Sequence, residues 1–279
     1  MPIHDQGYRR YLGTRDAIGR SWQVMTRAGV MSVVSKRVFL GMMLFAWAPF
    51  VVRVVQFYFA TTLAQASFLA PSGETFREFL DQQGIWVFFV TIYVGAGLIA
   101  NDRRANALQL YLSKPMTSAE YIAGKLAILF IFLVAVTFLP AILLLITQAL
   151  LAGNLTFTRN NLYLVPAITL YSLAQVLVAA TTMLALSSLS KSSRFVAVMY
   201  AGLFFFTTAL FQTLRGITGR SNFAWLSPGA ALQQLGDVIF RLEPRYQLSP
   251  AIAGLAVLVM IVGSILILMR RVRGVEIVT

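Results

Sequence analysis

Six long apolar segments divide this chain, and their length decides what it can fold into. They run over residues 38–59, 85–100, 122–151, 163–186, 195–214 and 251–269. A helix needs about 20 mostly apolar residues to cross a hydrocarbon core of roughly 30 Å, so five segments qualify outright. The second is short unless Gln83 and Gly84 enter the interface. Only 12% of residues are charged, against roughly 25% in soluble domains, so most of the chain does not face water. The expected fold is therefore all-α integral membrane, with six transmembrane helices in residues 38–269. An N-terminal region, 1–37, precedes them and a tail, 270–279, follows.

The first 37 residues are basic and mixed, with no short apolar stretch or small-residue cleavage site, so no secretory signal is expected. The net charge of +13 points away from nucleic acid, because the basic residues sit beside apolar segments, where they anchor to anionic headgroups. Arg9, Arg10, Arg15, Arg20, Arg27, Lys36 and Arg37 precede the first segment. Arg103, Arg104, Lys114 and Lys125 lie between the second and third, Lys191 and Arg194 between the fourth and fifth, and Arg270, Arg271 and Arg273 after the sixth. The opposite connections hold only Arg77, Arg159, Arg215, Arg220, Arg241 and Arg245. By the positive-inside rule both termini are expected in the cytoplasm.

Residues 8–35 contain no spanning segment but have helical periodicity. Tyr11, Ile18, Trp22, Met25 and Gly29 lie close to one face, with Arg15 and other arginines around the rest. That suits an amphipathic helix in the headgroup plane. The competing reading is an unstructured basic tail, because Gly13, Gly19 and Gly29 each weaken a helix. Residues 97–125 are the longest charged interruption on the cytoplasmic side. Asn101, Asp102, Arg103 and Arg104 close one apolar segment, and Leu108, Tyr111 and Leu112 then fall on one face of a short helix. Lys114-Pro115 stops that helix. Thr117 and Glu120 have capping-box spacing, so a new helix starts at Ser118. The stretch is either an ordinary loop or a membrane-parallel helix with an apolar-aromatic face for a cytoplasmic partner.

These residues resemble the permease subunits of bacterial ABC exporters of the type-2 family. The likeness rests on Asp102, Arg103, Leu108, Leu110, Tyr111, Leu112, Ser113 and Pro115, followed by Glu120, Tyr121, Gly124 and Lys125. The chain departs where the family has Gly-Thr, with Asn106-Ala107 instead, and has Asp102 where Glu is usual. The resemblance implies that Asp102, Arg103, Arg104, Leu108, Tyr111, Leu112, Lys114 and Pro115 form a coupling helix that docks on a separate ATPase subunit. That partner would hold the ATP and Mg. An N-terminal amphipathic helix, including Arg15, Ile18, Trp22 and Met25, would contact the same ATPase. The family also has re-entrant helices between spans five and six, and two permease copies, identical or paralogous.

Outside the membrane, residues 61–84 contain Glu74, Glu78 and Asp81 on one helical face, expected as a solvated short helix. Residues 215–250 are more informative. Ser227-Pro228 is a helix start, and Ala231, Leu232, Leu235, Val238, Ile239 and Leu242 recur at helical spacing. An amphipathic helix too short to span is expected there, on or dipping into the outer leaflet. Pro140 and Pro166 are expected to kink the third and fourth segments.

The chain has no cysteine and one histidine, His4, so no disulfide framework or thiolate metal site is possible, and a lone histidine is not a metal site. Gly124-Lys125 lacks the flanking residues of a phosphate-binding loop. The six segments contain no Asp, Glu or His, which argues against intramembrane catalysis and against carriers coupled through intramembrane acids. The ionisable residue well inside a segment is Arg53, roughly 22 Å from Val38 along the helix. Either it snorkels to the outer headgroups, or it lines an outward-facing cavity and pairs with an anionic substrate group or a loop acid. Gln56 shares its face, and Thr91 is another polar candidate for a pathway.

The reading is a permease subunit of an ATP-driven exporter in the bacterial inner membrane, with no catalytic or metal-ligating residues of its own. One alternative is a membrane scaffold that passes ATPase motion to an extracytoplasmic partner. Another is a passive channel.

Overall fold

The computed structural model describes residues 21–62, 70–107, 116–154 and 156–272, and they fold into helices joined by short connections. Six stretches are long and apolar enough to cross a membrane: Arg37–Thr62, Gly73–Arg104, Ser118–Ala152, Leu164–Leu189, Ser193–Thr218 and Pro250–Arg271 (spans 1 to 6). All six expected segments are present, each longer than its apolar run.

A helix α1 (Ser21–Val34) precedes span 1, which is built of α2 (Arg37–Ala46) and α3 (Ala48–Thr62). The interruption at Trp47 follows from Pro49, which has no N–H to return to the Phe45 carbonyl. Span 2 joins α4 (Gly73–Val90), a π-helical turn (Thr91–Gly95) and the short α5 (Ala100–Arg104). Here the expectation of a separate, solvated outer helix is corrected. Residues 73–84 are the first turns of span 2, capped by Ser72 and Thr75. Their charges looked incompatible with a span because hydropathy counts a charge without its partner.

Span 3 consists of α6 (Ser118–Val136) and α7 (Phe138–Ala152), broken at Thr137, where the Pro140 ring meets the Val136 carbonyl. The Thr117 hydroxyl accepts from the Glu120 amide at 3.2 Å, and the Glu120 carboxylate accepts from the Thr117 amide at 2.9 Å, so the capping box forms. A short α8 (Thr156–Asn160) leads to span 4, a single helix α9 (Leu164–Leu189). Pro166 does not kink it: the helix starts at Leu164, so Pro166 lies in the first turn, where no intrahelical N–H is needed. Span 5 is α10 (Ser193–Thr218). A 3₁₀ turn (Asn222–Leu226) and α11 (Pro228–Ile239) follow, then span 6, α12 (Pro250–Arg271). Ser227 caps α11 by accepting from the Ala230 amide.

Spans 2, 3 and 4 form the centre, with 50–61% of their apolar windows buried; spans 1, 5 and 6 bury 11–22% and lie outside them. One core cluster gathers around Leu129, Phe132, Leu133 and Met183, and a second around Phe76, Phe79, Ile168 and Tyr171. The connectivity brings the start of spans 1, 3 and 5 and the end of spans 2, 4 and 6 together at one basic end, where α1 packs along α6.

Candidate functional site

Of the residues expected to dock a partner, Leu108, Tyr111, Leu112, Lys114 and Pro115 lie outside the described residues, as do Arg15 and Ile18. The frame on either side is well defined. Asp102 accepts from the buried Tyr121 hydroxyl at 2.7 Å and pairs with Lys125 at 2.7 Å. Arg103 donates to the Ser188 carbonyl at the end of span 4. Just before them, the Ser187 hydroxyl accepts from the amides of Ile99 and Ala100 and donates to the Ala96 carbonyl. Asp102 and Arg103 therefore tie the start of the loop to spans 3 and 4, while Arg104 is exposed. Asn106 then takes a left-handed conformation, φ 52°, and turns the chain.

The α1 helix is held on the same frame by close backbone approach. A Cβ on Gly29 would sit 2.2 Å from the Ile128 side chain, and one on Gly124 would sit 3.2 Å from the Trp22 carbonyl. The Thr26 hydroxyl reaches the Trp22 and Gly124 carbonyls at 2.7 and 3.2 Å. Gly29, counted in the sequence as a weak point of the helix, is thus its contact point. Trp22 is partly exposed and Met25 half-buried beside Gly124. Between α1 and spans 2, 3 and 5 lies a cleft of about 890 Å³.

At the opposite end Arg53 is mostly buried, with a side chain 11% exposed. It pairs with Glu78 at 3.2 Å and donates to the Gln56 side chain at 2.9 Å. Arg53 thus has an acid partner, supplied by span 2. Thr91 is fully buried, thirteen residues or about 20 Å along the helix from Glu78. Of the three polar residues considered for a pathway, Arg53 and Gln56 are brought together and Thr91 lies apart.

A buried ionic cluster beside them was not foreseen. Arg77, with no exposed surface, lies 2.8 Å from Asp237 of α11 and 3.2 Å from Asp81. Arg245 pairs with Asp81 at 3.2 Å, and its amide donates to Asp237 at 3.0 Å. Tyr171 of span 4 donates to Asp81 at 2.6 Å. Next to it a Cβ on Gly236 would come within 2.8 Å of the Tyr171 ring, so α11 sits directly on span 4. Burial pushes the Asp237 carboxyl up to about 6, against the pull of Arg77. The expectation that the spans lack acids is thereby corrected, since span 2 contains Glu74, Glu78 and Asp81. The legible part of the signal was Arg77 and Asp81 at i, i+4, together with one acid, Asp237, on the apolar-periodic 228–239 stretch.

The chain matches the sequence model of a family described as ABC-2 family transporter protein over residues 84–270. Comparison with curated proteins returned no match.

Proposed function

The chain belongs to the ABC-2 transporter family as a multi-pass permease subunit, and on that premise we propose that it exports a substrate across the bacterial inner membrane. Closure of two separate ATPase subunits on ATP would press on residues 101–121 and on α1, switching the spans of two permease copies between inward and outward access. The observation that carries this reading is the bracing of the loop frame. Asp102 is held by Tyr121 and Lys125, and Arg103 by Ser188, so a push on the loop is delivered directly to spans 3 and 4. Arg104 is exposed, and the apolar face expected of Leu108, Tyr111 and Leu112 would meet the ATPase.

The double variant Tyr111→Ala, Leu112→Ala tests it. Burying a large apolar side chain stabilises by about 1.5–3 kcal/mol, so losing both weakens docking by roughly two orders of magnitude or more. The variant changes no span and is expected to insert normally, yet to lose co-purification of the ATPase and ATP-driven activity. Retention of the ATPase at wild-type stoichiometry and turnover would move docking to α1 around Trp22.

A second reading is favoured by the buried Arg77–Asp237 pair, which links α11 to span 2. In that reading the subunit passes ATPase work through residues 215–250 to an extracytoplasmic partner. Stimulation of ATP hydrolysis by a transported substrate supports export; stimulation only by a soluble outer protein supports force transmission.

A further inference from the structure

We propose that the cleft between α1 and spans 2, 3 and 5 binds one anionic membrane lipid, its phosphate-bearing headgroup at Lys36 and Arg194 and its acyl chain along the apolar wall of span 2. Lys36 stands at the start of span 1 and Arg194 at the start of span 5, and both line the cleft. Neither has a carboxylate partner among the described residues. Asp102 lines the same cleft, but its carboxylate is engaged by Lys125 and Tyr121. Among the described residues these two positive charges are therefore uncompensated. The Lys36 ammonium lies over the Tyr93 ring of span 2, 6.0 Å from its centre, which holds the cation against the cleft wall.

The apolar walls of the cleft include Val33, Ile92, Val94, Leu98 and Ile128. Basic groups at the ends of two spans beside apolar walls match the two kinds of group that an anionic lipid presents. A soluble anion leaves the apolar walls uncovered, and a neutral lipid leaves the cations unmatched. As a transported substrate class the lipid rests on the permease reading. Binding itself is measured without the ATPase, so lost docking and lost lipid binding fail separately.

The test is native mass spectrometry of the full chain released from mild detergent, with phosphatidylglycerol or phosphatidylcholine of identical acyl chains added. Wild type is expected to retain one phosphatidylglycerol in preference to phosphatidylcholine. Lys36→Gln with Arg194→Gln is expected to weaken that retention roughly thirtyfold, the effect of two basic residues near a membrane surface. Lys191→Gln with Arg271→Gln removes two charges from the same end outside the cleft and should change nothing. Ala197→Phe, which fills the cleft and keeps every charge, should also lose the lipid; Ala28→Phe on α1 serves if that variant does not fold. Equal retention of the two lipids, or equal effects of the two charge variants, overturns the proposal in favour of general interfacial attraction. Glycerol phosphate binding as tightly as phosphatidylglycerol overturns the lipid in favour of a soluble anion.

Discussion

Ser187 is a buried hydroxyl that closes three backbone groups at once, where span 2 recovers from its π-helical turn. Removing it strands the amides of Ile99 and Ala100 in the core, at about 1–3 kcal/mol for each unsatisfied group. Ser187→Ala is therefore expected to lower the melting temperature in detergent, with a larger drop than Ser190→Ala at the adjacent span end. Arg77 is the same case with charge. Its contacts with Asp81 and Asp237 are ionic rather than well-aligned hydrogen bonds. Arg77→Ala leaves two acids buried together and is expected to destabilise by about 3–5 kcal/mol, read by denaturation in detergent. The raised Asp237 carboxyl adds a pH dependence. Between 3.8 and about 6 the folded chain holds this proton more tightly than the unfolded chain. The contribution is present in full below that window and is lost as pH rises through about 6. Melting curves from pH 4 to 7 should be flatter for Asp237→Asn than for wild type.

Among elements, α1 and α6 meet at two glycines, so their contact depends on what is missing from the side chains. Gly29→Leu collides with Ile128 and should lift α1 from span 3 without affecting insertion of any span. Val33, a buried residue of α1 itself, makes the reporter: with no native cysteine, Val33→Cys should resist maleimide in the parent and react when Gly29→Leu is added. Protection in both would place α1's attachment elsewhere. The elements legible in the sequence were those set by local chemistry. The Thr117–Glu120 box and the Ser227-Pro228 start need no distant partner, and both formed where spacing placed them. Span 2 was misjudged because its first turns are stabilised by residues far along the chain. Arg77 reads as a loop charge until Asp237, 160 residues later, is packed against it. Pro166 was misjudged because its effect depends on where the helix begins, which the apolar run leaves open by a turn. The face expected of Leu108, Tyr111 and Leu112 lies outside the described residues, while the ties of Asp102 and Arg103 required knowing which spans are neighbours.

At the scale of the whole molecule, three well-buried spans are flanked by three that turn most of their apolar surface outward. Leu44, Phe45, Val51, Phe205 and Phe206 are among the exposed side chains, available to acyl chains or to a second copy. Orientation is checked by cysteines at Ser118 and Ser192, expected to react from the cytoplasm alone, and at Ser72, expected to react from outside alone; labelling of Ser72 from inside would reverse the chain in the membrane. The docking of α1 on span 3 rather than on span 1 also has a consequence for biogenesis. Thr26 meets Gly124, its partner, 98 residues later. At about 5–20 residues per second of synthesis, α1 leaves the ribosome several seconds before its seat exists. Throughout that interval Trp22, Met25 and Val33 have no protein to cover them, and the lipid surface beside the translocon is the nearest apolar phase. The N-terminal helix is therefore translated first and placed late, after the third span has been inserted, so its contact with α6 is completed only once the membrane topology of the first half is settled.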